Sequence, residues 1–348
     1  MVITRTPLRI SFFGGGTDYP VWYRQHGGSV LSTAINKCCY ITCRRLPPFF
    51  EYHSRISYSK IENVVRNDAI QHPSVRACLQ FLGINDGVEI HHVADLPART
   101  GLGTSSAFTV GLLLGLYALR NQMRDKHALT ADAIHVEQEV LQECVGSQDQ
   151  TSAAYGGFNR INFHRDGTVE VKPIVTVQNR LAELEQHLAL YFTGFSRTAS
   201  EIATEQVRIT PHKQRELETM MQLVDEAEAI VASPSRPLDD FGRLMHQSWQ
   251  IKRSLTQKIS NANIDEIYEA GLSAGALGGK LLGAGGGGFM LFYVRPEHRQ
   301  ALRVRLKKLL CVPFGFSNKG SHVVVYEPEE QYDKTTIEER SVVYAQNV

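Results

Sequence analysis

PARTGLGTSSA, residues 97–107, lies between a strand-like run and a long apolar stretch, and its reading decides the fold. Gly101 and Gly103 let the backbone come close to a ligand. Thr104, Ser105 and Ser106 follow with hydroxyls and N–H groups at the start of a helix expected over residues 105–121. A helix N-terminus with unpaired N–H groups attracts an anion. Its hydroxyls also suit a magnesium ion. The same residues suit a plain helix cap, with Thr104 or Ser105 as the capping side chain. The loop alone does not choose between these.

Outward from it, runs rich in Val, Ile, Thr, Cys and Tyr predict strands over residues 2–13 and 28–45, alternation extends the pattern over 51–59, and a further strand is expected over 87–92. A helix follows over residues 130–144, with Thr130 and Asp132 as capping residues, then a strand over 156–163. The later chain reads as a strand (188–194) and a long amphipathic helix (200–232) broken near Pro211. Two further helices (239–255, 263–274), a strand (289–294), a helix (297–310) and a strand (321–326) complete it. Strands and helices mix without strict alternation, so the class is α+β. The 348 residues, 43% of them hydrophobic, are enough for two domains, placed at residues 1–180 and 181–348.

Lys plus Arg number 37 against 36 acidic residues, a balance that advertises neither nucleic acid nor an anionic membrane as partner. No apolar run reaches the roughly 20 residues that span a bilayer. Six cysteines with no CxxC pair read as reduced core thiols, and the expected location is the cytoplasm.

Two more glycine-rich stretches accompany the first. RISFFGGGTDY, residues 9–19, ends a strand in three glycines followed by a carboxylate. KLLGAGGGGF, residues 280–289, holds four consecutive glycines, a costly run unless backbone meets a ligand or another loop closely. None matches the phosphate-binding GxxxxGK[ST] pattern. Between them, Glu137 sits on a helix and Asp149 in a Gly-Ser-Gln-Asp turn beyond it. One carboxylate for magnesium and one facing an attacking hydroxyl are what phosphoryl transfer needs. Glu139 and Glu143 are spaced as a solvated face.

In this order the three stretches resemble the motifs of the galactokinase, homoserine kinase, mevalonate kinase and phosphomevalonate kinase (GHMP) superfamily. Those motifs are a strand ending in a glycine loop with an Asp, then Pro-x-x-x-Gly-Leu-Gly-Ser-Ser-Ala, then Lys-x-x-Gly-Ala-Gly-Gly-Gly-Gly. The resemblance spans about residues 3–327. It implies an N-terminal domain like domain 2 of ribosomal protein S5 and a ferredoxin-like C-terminal domain, with ATP and substrate between them. It implies that Gly101, Leu102, Gly103, Thr104, Ser105 and Ser106 bind the triphosphate, that Ser105 and Glu137 hold Mg2+, and that Asp149 is the catalytic aspartate. Arg9 would either keep Asp149 as the carboxylate or neutralise charge on the transferred phosphoryl group. Lys280, Gly285, Gly286 and Gly287 mark the third motif.

Galactokinases carry Glu and His where this chain has Gly15 and Gly16, so the acceptor pocket is expected to be roomier, with Thr17, Asp18 and Tyr19 left to contact the sugar. Asp18 is then the bidentate acceptor for sugar hydroxyls. FFGGGTDYP is most similar to D-glycero-D-manno-heptose 7-phosphate kinases, which phosphorylate the C1 hydroxyl to a 1,7-bisphosphate for nucleotide-activated heptose and surface polysaccharide synthesis. The sugar's own phosphate calls for a base: Arg197, or else Arg24, Arg55 or Lys280. A kinase of another sugar, such as free heptose or fucose, and a catalytically silent sugar and ATP sensor stay open. So does assembly, a homodimer being allowed.

Overall fold

The computed structural model of the protein describes residues 1–47, 49–177, 179–194 and 199–328. In chain order the first half runs β1 (Val2–Phe13), α1 (Pro20–His26), β2 (Gly28–Arg45), β3 (Ser54–Ser57), β4 (Ile61–Val64), α2 (Pro73–Phe81) and β5 (Val88–Ala94). Next come α3 (Thr104–Leu119), α4 (Lys126–His135), α5 (Gln148–Tyr155), β6 (Phe158–Phe163) and β7 (Val169–Pro173). The second half runs α6 (Arg180–Gln186), β8 (Leu188–Gly194), α7 (Ala199–Ile209), α8 (Gln214–Ala232), α9 (Asp239–Leu255) and α10 (Ala262–Ser273). It closes with β9 (Ala276–Leu281), β10 (Gly288–Val294), α11 (Arg299–Arg305), β11 (Leu310–Val312) and β12 (His322–Tyr326). Among the described residues no helix is long and apolar enough to cross a membrane.

The eight-stranded sheet is organised by β2. Along one edge it pairs antiparallel with β1; along the other, residues 28–33 pair with β6 and residues 39–45 with β5. Between those segments Ala34 bonds to Gly157 and Ser317 instead, so the sheet forks there. The path continues from β5 to β3, a parallel pair, and then to β4. β12 returns from the second half to flank β1. The smaller sheet runs β11-β8-β10-β9, all antiparallel.

α3 is apolar on nearly every face because it is buried on nearly every face, lying across β1 and β2. The main core joins this layer to α8 and α9, through Val224, Ala227, Phe241 and Met245. A second core fills the space beneath the small sheet, around Trp249, Tyr268 and Phe292.

Most of the expected strands and helices are present, with instructive departures. The strand expected over residues 51–59 is shorter, β3 at Ser54–Ser57, and it pairs as a hairpin with β4, a strand not expected from the sequence. The helix expected from residue 130 starts at Lys126, because Asp125 rather than Thr130 or Asp132 caps it, accepting the Ala128 N–H at 2.7 Å. It then widens into a π-helical turn, Val136–Val140. The helix expected over 297–310 stops at Arg305, and Leu310 opens an edge strand. Asp149 is not in a turn but in the first turn of α5.

Candidate active site

Arg9 is the hub. The ladder between β1 and β2 slips between Pro7 and Arg9, which frees the Arg9 N–H to bond the carbonyl of Leu102 at 3.0 Å. Its side chain then turns back along the same loop. Nη1 donates to the Gly101 carbonyl at 2.7 Å, while Nε and Nη2 hold both Asp149 oxygens at 2.7 and 2.8 Å. Arg9 is buried, and Asp149 keeps 25% of its side chain exposed, so the pair is desolvated on one side and open on the other. Leu102 is fully buried and anchors the loop in the core. Gly103, in the left-handed region, stands at the N-cap of α3, which has no side-chain cap and no acid in its first turn. The capping role open to Thr104 or Ser105 is therefore not taken up, and the helix end keeps its positive field.

α5 carries two adjacent residues to two partners. Asp149 meets Arg9, and Gln150 donates to Oε2 of Glu137. Ser106 donates to the same oxygen at 2.8 Å, whereas Ser105 is exposed. The π-helical turn places Glu137 in the interior at 1% exposure, and its Oε1 has no partner. Burial pushes the Glu137 carboxyl up to about 7, against the opposing hydrogen bonds from Ser106 and Gln150. A buried carboxylate with one oxygen unused and a serine hydroxyl beside it fits a divalent cation bound with oxygen ligands. Of the two solvated acids, Glu139 is exposed and Glu143 half-buried.

The first-motif loop folds over Asp18. One oxygen of Asp18 accepts the Gly16 N–H at 2.8 Å. The other lies so close to Gly146 that a β-carbon there would sit 1.8 Å from it. Burial raises the Asp18 carboxyl above its ordinary value. Burial and the charges of Asp18 and Asp149 likewise raise the Tyr19 phenol, which places Tyr19 at the same site. Thr17 differs from its expected role: its hydroxyl is spent on the Gly14 and Ser29 carbonyls at 2.8 and 2.9 Å, holding the loop shut. Beside Gly15, two groups not singled out from the sequence come together, Ser11 and Gln148. Both are buried, and the Ser11 hydroxyl and Gln148 carbonyl lack partners. Gly16 faces Gln206 of α7.

The third motif closes the site from the other half. Gly283 packs its Cα on Gly101, where a β-carbon would come within 2.4 Å. Gly286 donates its N–H to Ile259 at 3.0 Å, Gly285 packs on the same residue, and Gly287 completes the turn before β10. Lys280 lies on strand β9, not in the loop, and its ammonium reaches across to the Phe12 carbonyl at 2.8 Å. Of the other bases considered for a sugar phosphate, Arg55 lies 3.9 Å from Glu89. Arg24 is exposed and lines a cavity with His127 and Tyr155, and Arg197 lies outside the described residues. A further base went unread: Lys252 of α9, buried, with its ammonium on the Gly283 carbonyl. Its signal was available, because Met245, Trp249, Lys252 and Leu255 form one buried stripe and only one of them is charged.

Comparison with known proteins accounts for this convergence of three loops. Residues 69–157 match the model of the GHMP kinases N terminal domain, and residues 227–310 that of the GHMP kinases C terminal. D-glycero-alpha-D-manno-heptose 7-phosphate kinase of Campylobacter jejuni is 31% identical over 91% of this chain and 97% of its own length. The bifunctional fucokinase/GDP-fucose pyrophosphorylase of Arabidopsis thaliana is 26% identical over 87% of this chain, which spans 31% of that protein. Among solved structures, a D-glycero-D-manno-heptose 1-phosphate kinase from Bacteroides thetaiotaomicron superposes with a TM-score of 0.70 at 23% identity, covering 94% of this chain and all of that one. Lactococcus lactis galactokinase with galactose superposes at 0.72 and 16% identity, covering 92% and 94%. The heptose kinase relative matches along almost its whole length, and both halves of the family model fall on the segments that meet at Arg9 and Gly283: the chain belongs to the GHMP kinases.

Proposed function

We propose that the protein is an ATP-dependent sugar kinase that phosphorylates the C1 hydroxyl of D-glycero-D-manno-heptose 7-phosphate, giving the 1,7-bisphosphate. The observation that carries this reading is the bidentate Arg9–Asp149 pair seated directly under the Gly101–Gly103 turn. Residues 101–106 supply an uncapped helix end for the ATP phosphates. Asp149, partly open to solvent, is the group that meets the acceptor hydroxyl. In the transfer, the bond from the γ-phosphorus to the β-bridging oxygen breaks and leaves its electron pair on ADP. A new phosphorus–oxygen bond forms to the sugar, and the hydroxyl proton passes to Asp149 or onward to solvent. Arg9 holds the aspartate in place throughout and keeps positive charge beside it.

Mg2+ would be held by Glu137, through its unpartnered oxygen, with a hydroxyl from Ser105 or Ser106. When bound it neutralises phosphate charge. The acceptor pocket would be Asp18, Tyr19, Gly15 and Gly16, with the unpartnered Ser11 and Gln148 groups reading further sugar hydroxyls. Residues 1–180 would hold both substrates and residues 181–348 would close over them. Two readings of the acceptor compete: the named relatives include kinases of a phosphorylated heptose and of free fucose. Coupled ADP release on a panel of free and phosphorylated sugars decides between them, with the new ester located by phosphorus NMR. Turnover of the heptose 7-phosphate well above free heptose and fucose supports the proposal; equal turnover of fucose overturns it.

A further inference from the structure

Lys252 enters the site from the C-terminal half, on the last turns of α9, and its ammonium is buried. Its bond is to the carbonyl of Gly283, the residue whose Cα rests on Gly101. Gly101 in turn gives its carbonyl to Arg9, which holds Asp149. Lys252 and Arg9 therefore stand on either side of one backbone contact, the seam between the second and third motifs. Among the described residues no carboxylate lies within ion-pair distance of Lys252. Lys280, also buried, is close enough to repel it, and its ammonium too rests on a carbonyl. The two acids in this neighbourhood are Asp149, both of whose oxygens are taken by Arg9, and Asp18, one of whose oxygens is taken by Gly16.

Three buried bases against two acids leave the seam short of negative charge. A buried ammonium on a lone carbonyl is poorly compensated, and a phosphate is what would complete it. Burial and the nearby Arg9 lower the Lys252 ammonium to about 8, in keeping with a group whose anion has yet to arrive.

We propose that Lys252 is a phosphate-binding catalytic residue that donates to the γ-phosphoryl group of ATP as it passes to the acceptor, opposite Arg9. This rests on the kinase reading but not on the identity of the sugar. The two are separated by measuring nucleotide binding without sugar, with ADP and the non-hydrolysable AMP-PNP as probes, both with Mg2+. If the parent protein binds neither, the kinase reading itself fails. In K252M, AMP-PNP affinity is expected to fall about tenfold to a hundredfold while ADP affinity stays within about twofold, since one charge-assisted hydrogen bond to the γ-phosphate is lost. Equal loss for both nucleotides would assign Lys252 to holding the third-motif turn, and no loss for either would leave it without a phosphate role; each result overturns the proposal. So does a K252M defect confined to the KM for the sugar phosphate, which would make Lys252 a base for the acceptor. Should K252M fail to fold, a crystal structure of the parent with AMP-PNP serves. Nζ within about 3.2 Å of a γ-oxygen supports the assignment, and Nζ still confined to the Gly283 carbonyl overturns it.

Discussion

At the scale of single residues, the site is a set of buried polar groups whose partners are incomplete. Glu137 shows the consequence most clearly. Its carboxyl is raised from an ordinary 4.5 to about 7, first by burial. In metal-free protein the folded state keeps this proton up to about pH 7, whereas the unfolded chain releases it near its ordinary value. The folded state thus binds more protons between those limits, and stability falls as pH rises through that window, by about 3 kcal/mol in all. Urea unfolding of the parent between pH 5 and 8 should show this decline, and E137Q should flatten it. Asp18 shifts in the same direction, but it does so in both proteins, so the difference isolates Glu137. Identical slopes in parent and E137Q would contradict the burial account. Gly146 offers a second test, because a β-carbon would collide with the Asp18 carboxylate. G146A should raise the KM for the sugar several-fold or more while leaving nucleotide binding in place, measured by steady-state kinetics and ADP titration.

At the scale of elements, the seam between second and third motifs is where the glycines act. Gly101 has φ +84° and would place a β-carbon 2.3 Å from the Leu282 carbonyl. G101A is therefore strained both by backbone conformation and by contact. It should cost about 2 kcal/mol or more of stability by chemical denaturation, together with a clear loss of ATP affinity. A variant as stable as the parent would remove the seam from the account. Much of this level was legible in the sequence. The long strands rich in Val, Ile, Thr and Cys, such as β2, and the helices with long apolar stripes, such as α9, stand where composition and periodicity put them. The three glycine loops were visible as loops because runs of glycine have few structural uses. What was not legible had weak local signals. α5 is short, polar and without a stripe, so Asp149 read as a turn residue. α2 opens on Pro73 at its first position, but His72 rather than a usual capping residue precedes it. The π-helical turn that buries Glu137 has no sequence signature. Lys252 is different: a single cation on the buried apolar stripe of α9 was a readable signal, but what it meets is known only from its neighbours in the fold.

At the scale of the whole molecule, the two halves are not independent. β12 pairs with β1, Val224 of α8 belongs to the core under the large sheet, and Lys280 reaches the Phe12 carbonyl across the seam. Calorimetry should accordingly show one cooperative transition for the parent protein, and two well-separated transitions would contradict the shared core. The same convergence makes the chemistry possible, since the base-bearing strand β1, the anion-binding end of α3 and the third-motif turn meet only in the assembled fold. The most direct measurement of the central claim is turnover of heptose 7-phosphate by D149N beside the parent, with ATP affinity measured on both. The account predicts nearly unchanged ATP binding and a kcat lower by about 10²-fold to 10⁴-fold; D149N turning over at the parental rate would contradict it.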